Sequence, residues 1–201
     1  MTRWIPPRSL HTPSSLLTRR SWLTHCALAG LALSVRPSSL LAGEIEVEGK
    51  FNLIDQWGKV RTEQDLRGKP TILFFGYTHC PDFCPTALQD LTLLIRDMKQ
   101  EADNYHFVFI SVDPERDRPE VLRDFLSSFD PHILGLTGTN EAVEQALESF
   151  MAFAQKVNYA NSYVFDHSSL IYLFDAKGQF RGGLSSRAGL PEMKIQLARV
   201  K

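Results

Sequence analysis

Two cysteines sit where a buried strand hands over to a helix, and this junction constrains the fold more than any other stretch of the chain. The run Thr71-Ile72-Leu73-Phe74-Phe75 is apolar on both faces, as expected of a strand inside a parallel sheet. Gly76-Tyr77-Thr78-His79 forms a turn, and Cys80-Pro81-Asp82-Phe83-Cys84-Pro85 follows. Leu88, Leu91, Ile95 and Met98 then recur three and four residues apart, which predicts a helix from about Pro85 to about Glu101. Pro85 suits a first helical turn, where its missing N–H would have had no partner. Cys84 is thereby expected at or near the N-cap, with Cys80 in an exposed loop before it. The positive end of the helix favours thiolate, the form that attacks disulfides and binds soft metals.

The remaining elements extend this unit. Phe51 to Asp55, then Gly58 and Val60, read as a short hairpin with its turn at Asp55–Gly58. Tyr105–Val112 is a second buried strand. Asp117 and Pro119 start a helix with Val121, Leu122, Phe125, Leu126 and Phe129 on one face. Ile133–Leu136 is a short strand, and Asn140 is positioned to cap the next helix, which carries Val143, Ala146, Leu147, Phe150 and Met151. Residues 154–162 read as polar and irregular. Tyr163-Val164-Phe165 is a short strand leading into Asp166-His167-Ser168-Ser169, and Leu170–Phe174 pairs in a hairpin with a strand around Phe180. A last helix starts near Pro191. The order of elements predicts an α/β domain with a mixed central sheet flanked by helices and an added N-terminal hairpin. Thioredoxin-like folds keep their dithiol at such a strand-to-helix junction, and open sheets collect active groups at the carboxyl ends of their strands.

A chain of 201 residues suits one such domain behind a leader. Residues 1–42 contain five arginines and no acid; without those five, 17 of the 22 cations remain against 23 acids, a balance of −6. An acidic domain at 43–201 argues against nucleic acid as a partner. Arg19-Arg20-Ser21-Trp22-Leu23 and the apolar run Ala27–Val35 read as an export signal of the twin-arginine type, with a processing site near Ala42. The apolar run is shorter than the roughly 20 residues of a spanning helix, so it would make a weak membrane anchor. A mitochondrial presequence shares this composition. Both readings place the domain outside the reducing cytosol, on the periplasmic side of the inner membrane or facing the mitochondrial intermembrane space.

Of the three cysteines, Cys26 belongs to the leader, so Cys80 and Cys84 are the pair left to the domain. Their i, i+4 spacing can turn both sulfurs to one side of a helical start. Spacing alone leaves a redox-active pair and a metal-binding pair equally open, with two inert buried thiols as the third reading. Four histidines are candidates for a further ligand. His79 neighbours Cys80 in a loop and should point away, His106 opens a strand, and His132 lies in a Pro-flanked turn. His167 precedes a buried strand on the rim of the sheet, where it is either a ligand or a hydrogen-bonded structural residue. Two thiolates and one imidazole would form a soft set that selects copper over magnesium or calcium, with zinc as the alternative, although structural zinc usually takes four ligands. Asp113 and Asp166 are candidates for carboxylates tuning the site from outside.

The stretch Phe75-Gly76-Tyr77-Thr78-His79-Cys80-Pro81-Asp82-Phe83-Cys84-Pro85-Thr86 resembles the signature of the Sco/SenC copper-delivery proteins. So do Ser111-Val112-Asp113-Pro114-Glu115-Arg116-Asp117, Leu136-Thr137-Gly138-Thr139, and Asp166-His167-Ser168 with Tyr172-Leu173. The likeness runs in order from about Phe51 to Gly178. It implies a thioredoxin-like fold, copper held by Cys80, Cys84 and His167, and delivery to the CuA centre of cytochrome c oxidase. The implied partners are the CuA-bearing subunit and a membrane-linked thiol reductant that keeps the pair open. Phe83 departs from the smaller aliphatic residue expected there, and Ala176 from a common proline. The alternative function is enzymatic: a thiol–disulfide oxidoreductase that reduces cysteines of a partner through Cys80 and Cys84. The segment that would face the pair, Phe165-Asp166-His167, lacks the proline usual in such enzymes, which favours metal.

Overall fold

The computed structural model describes residues 47–159 and 161–200; the leader assigned to residues 1–42 lies outside them. Among the described residues no helix is long and apolar enough to cross a membrane. The elements are β1 (Asn52–Asp55), β2 (Val60–Thr62), β3 (Thr71–Gly76), α1 (Phe83–Met98), β4 (His106–Ser111), α2 (Pro119–Leu126), β5 (Ile133–Thr137), α3 (Asn140–Ser149), β6 (Ala154–Tyr159), β7 (Ser162–His167), β8 (Leu170–Phe174), β9 (Phe180–Ser185) and α4 (Gly189–Leu197).

Seven strands form one mixed sheet in the order β2-β1-β5-β4-β3-β8-β9. Strands β3, β4 and β5 run parallel through the helical crossovers α1 and α2, and β1 and β8 flank them antiparallel. All six residues of β3 are buried, as its unbroken apolar run requires of a central strand. The predicted N-terminal hairpin is present. Its turn closes with Gly58 N–H donating to Asp55 O (2.9 Å), and Gly58 has the positive φ (82°) that a side chain would resist. It joins the sheet through β1 against β5, and α1 packs on α4. The result is the expected α/β, thioredoxin-like architecture.

Four local expectations shift. Helix α1 starts at Phe83 with Asp82 as N-cap, so Cys84 lies inside the first turn rather than at the cap. It ends at Met98 and continues as a 3-10 turn over Lys99–Asn104. Thr139, not Asn140, caps α3, its Oγ1 accepting from Ala142 N–H at 3.2 Å. The stretch read as irregular is strand β6, paired antiparallel with β7 in a separate two-stranded sheet. Five of the six β6 residues are exposed, so no alternation of apolar and polar side chains announces the strand.

Candidate metal and dithiol centre

The junction between β3 and α1 is tied down before it reaches the cysteines. Gly76 ends β3, and its carbonyl accepts from Val112 N–H at 2.8 Å. A side-chain carbon here would stand 2.6 Å from the Phe109 ring and 3.0 Å from Cys84 Sγ, so only glycine lets the sulfur approach the strand end. The buried carboxylate of Asp117 then fixes the turn. It accepts from Thr78 N–H (2.8 Å), Thr78 Oγ1 (2.6 Å) and Ser111 Oγ (2.6 Å). Cys80 N–H donates to Tyr77 O (3.2 Å), which rounds the chain into α1.

Both thiols are free and buried, Cys80 at 8% exposure and Cys84 at 0%. The loop itself is exposed as expected at His79, Pro81 and Asp82, but the Cys80 side chain turns inward from it. Phe83, larger than the aliphatic residue expected there, packs beside the pair on His167 and under Arg187. The Arg187 guanidinium lies 5.4 Å from the Phe83 ring centre and donates to Asp82 Oδ2 at 2.8 Å.

His167, the last residue of β7, meets this pair from the other side. Its Nε2 lies 3.3 Å from Cys84 Sγ, and Nδ1 lies 3.0 Å from the Ser168 carbonyl. A carbonyl only accepts, so the neutral ring carries its proton on Nδ1 and turns the Nε2 lone pair toward sulfur. Phe83 (ring centres 4.9 Å apart), Tyr77 (5.7 Å) and Phe74 (6.5 Å) wall the imidazole. The Sγ atoms of Cys80 and Cys84 and a ring nitrogen of His167 all lie within 4.8 Å of one another. Metal bonds of about 2.0–2.3 Å to nitrogen and sulfur bridge donors up to about 4.5 Å apart, so this set closes on one ion with little movement.

The two sulfurs are electrically unlike. Cys80 is held low, at about 4, by the hydrogen bond from the Cys84 thiol against the opposing effect of burial; the backbone N–H groups of Asp82 and Cys84 add to it. Cys84 is driven up by that same bond and by its burial. One anion and one proton are therefore shared by the pair at neutral pH. Cys80 is the ready nucleophile, and Cys84 gives up its proton when something positive replaces it.

The other histidines stay away from this group. His79 is exposed and bonds Thr78 Oγ1 through Nδ1 at 2.8 Å. His106 opens β4 with its pKa lowered by burial, and His132 bridges Asp130 (2.7 Å) and Asp103 (3.0 Å). Neither candidate carboxylate is turned onto the cysteines or His167. Asp166 is exposed on the outer face of β7, while Asp113 accepts from Arg116 Nε and from Tyr163 Oη at 3.0 Å. Tyr77 and Arg116 lie within the motif stretches without being singled out there, and Tyr163 and Arg187 lie outside any motif. The Asp113-Pro114-Glu115-Arg116-Asp117 charge cluster directly after a buried strand was the signal for Arg116, because such a run places charges at the sheet's carboxyl end.

Comparison with known proteins places the chain in a family. The SCO1/SenC family model matches residues 41–200. Bradyrhizobium japonicum ScoI, solved with copper bound, superposes with a TM-score of 0.71 at 43% identity, covering 77% of this chain and 99% of that one. A SCO2-like protein of Rickettsia prowazekii is 38% identical over 160 residues, 75% of this chain and 78% of the relative. BsSco, described as a cytochrome c oxidase assembly protein with a disulfide switch, superposes with a TM-score of 0.62 at 26% identity, over 77% of this chain and 91% of that one. Curated relatives also include mitochondrial SCO proteins of yeast and human. With the family model spanning the whole described domain and close relatives on both counts, this chain belongs to the SCO1/SenC family.

Proposed function

We propose that this protein is a copper chaperone, holding one copper ion on Cys80 Sγ, Cys84 Sγ and His167 Nε2 and passing it to the CuA centre of cytochrome c oxidase. The observation that carries the reading is the approach of His167 Nε2 to Cys84 Sγ (3.3 Å), with its proton committed to Ser168. The copper bound to the Bradyrhizobium relative and the assembly role given for BsSco support it. Two thiolates and an imidazole suit a soft monovalent ion, and three donors leave a side from which an acceptor's ligands can enter. Copper arrival displaces the Cys84 proton, so loading releases acid and weakens as pH falls. A disulfide between Cys80 and Cys84 would offer no thiolate, so a membrane-linked thiol reductant is a required partner. Residues 1–42 act as an export leader or weak tether, placing the domain on the periplasmic side of the inner membrane or, in a mitochondrial setting, in the intermembrane space.

The asymmetric pair also supports a second reading. The Cys80 thiolate would attack a partner's disulfide, and Cys84 would then displace the partner from the mixed disulfide. The products are a Cys80–Cys84 disulfide and two reduced partner cysteines, with the reductant resetting the pair. The two readings separate on His167. Anaerobic copper(I) titration against a competing chelator should find one ion per reduced chain and none after oxidation. His167→Ala should weaken binding by at least about 10-fold while leaving disulfide reduction intact. Mixing two equivalents of the loaded protein with the apo CuA-bearing subunit, then removing one electron per centre with a one-electron oxidant such as ferricyanide, should produce the CuA absorption bands. A reduced protein that takes up no copper refutes the chaperone reading.

A further inference from the structure

The strand that ends in His167 is not built into the main sheet. β6 and β7 pair only with each other; the backbone ties the end of β7 to the main sheet through Ser168 and Ser169 into β8, where Ser169 O accepts from Ser186 N–H at 2.8 Å. Farther up the hairpin side chains make the connection to the body, and those around Tyr163 converge on one cluster. Arg116, in the loop after β4, donates from Nη1 to Tyr163 O on β7 at 3.2 Å and stacks its guanidinium 3.7 Å from the Tyr163 ring centre. Its Nε is bound by the Asp113 carboxylate, and Tyr163 Oη donates to that same carboxylate at 3.0 Å. The closed triangle Asp113–Arg116–Tyr163 thus joins the loop that also carries Asp117 to the hairpin that carries His167. On its far side Arg116 lies 5.8 Å from the Tyr77 ring centre. Tyr77 Oη in turn accepts from Phe165 N–H at 3.1 Å, two residues before His167.

We propose that Arg116, with Asp113 and Tyr163, is a positioning clamp that sets His167 against the two sulfurs and so governs how long the site keeps its ion. The proposal rests on the metal-binding reading of that site. Fold stability alone accounts poorly for the arrangement. Arg116 Nη2 is buried with no hydrogen-bond partner among the described residues, a cost that an apolar side chain would avoid. What the guanidinium supplies is a flat, charged plate. It stacks on a tyrosine of the hairpin while its Nε holds a carboxylate of the body and its Nη1 a carbonyl of the hairpin, a combination that lysine cannot reproduce. The exposed Lys156–Glu115 pair (2.7 Å) lies beside the cluster and adds little, being screened by solvent.

The test is a double-mutant cycle on the full chain, with copper(I) loss to a chelator as the rate measured. Arg116→Ala should speed loss about 10- to 100-fold, the range for residues that orient a ligand. Arg116→Lys should recover part of this and Tyr163→Phe should show a smaller acceleration. In a His167→Ala background Arg116→Ala should add nothing, because the ligand it positions is gone. Equal acceleration in both backgrounds, or none in either, overturns the clamp. Amide exchange of the metal-free protein provides a readout that needs no copper: protection should fall across 154–167 and hold in β3 and β4. Uniform loss of protection overturns the proposal, as does unchanged protection of the hairpin. If the wild-type protein takes up no copper, the reading of the site fails, and exchange alone still decides whether the clamp exists. Should Arg116→Ala not fold, the lysine and phenylalanine variants answer the same question.

Discussion

Cys80 and Cys84 stand on the β3–α1 junction, whereas His167 stands at the end of the β6–β7 hairpin, and the two are held in different ways. The junction is part of the core: β3 is buried along its length, Gly76 makes room for Cys84, and the carboxylate of Asp117 gathers three donors from the turn and from β4. The hairpin lies outside the seven-stranded sheet and reaches the body through side chains such as Tyr77, Arg116 and Asp113. The difference teaches that a three-donor site can join a stiff half to an adjustable one. The sulfurs cannot move without disturbing the core. The imidazole is held by the short connection into β8 and by these side-chain contacts, so in the proposed chaperone role it is the donor that fewer core contacts restrain.

Breaking the stiff half should do the most damage. Cys84→Ser removes a soft donor at the one position with no exposure, and copper affinity should fall beyond the roughly 10- to 100-fold that outer partners cost, as measured by chelator competition. Asp117→Ala strands Thr78 N–H, Thr78 Oγ1 and Ser111 Oγ together, and denaturant unfolding should show a loss of about 3 kcal/mol. Tyr163→Phe, the matching deletion on the hairpin, should cost about 1 kcal/mol or less in the same experiment. Equal losses at the two places would erase the contrast.

The pH dependence of alkylation sharpens the comparison inside the stiff half. A thiol is reactive as its anion, and Cys80 is lowered to about 4 by the Cys84 hydrogen bond, so its thiolate persists through the whole range above that value. Its alkylation rate should therefore be nearly flat from about pH 5 to 8 and fall only below about 4, whereas an ordinary thiol slows tenfold per unit below its pKa near 8.5. Cys84, pushed upward, should stay unreactive across that range in the folded protein. A Cys80 rate that rises steadily to pH 8 would break the assigned asymmetry.

The legibility of the sequence follows the same division. The junction could be read because everything that builds it is contiguous: an apolar strand, a glycine turn, two cysteines and a helix of three-and-four spacing. The hairpin could not, because β6 is exposed on both faces and is made a strand by its partner rather than by its own pattern. His167 approaches Cys84 across 83 positions, and Arg187 reaches Asp82 across 105, separations at which periodicity is silent. Resemblance to a family supplied His167 where the residues alone left it open. Asp113 reads from the sequence as a carboxylate tuning the site, but its role as the anchor of Arg116 and Tyr163 depends on a fold-back across 50 positions.

X-ray absorption of the copper-loaded, reduced protein tests the joined site most directly. The account predicts two sulfur neighbours and one imidazole nitrogen around the metal, with the outer-ring scattering of imidazole lost in His167→Ala and both sulfurs retained. A sulfur-only shell in the wild-type protein, or imidazole scattering that survives His167→Ala, would contradict it.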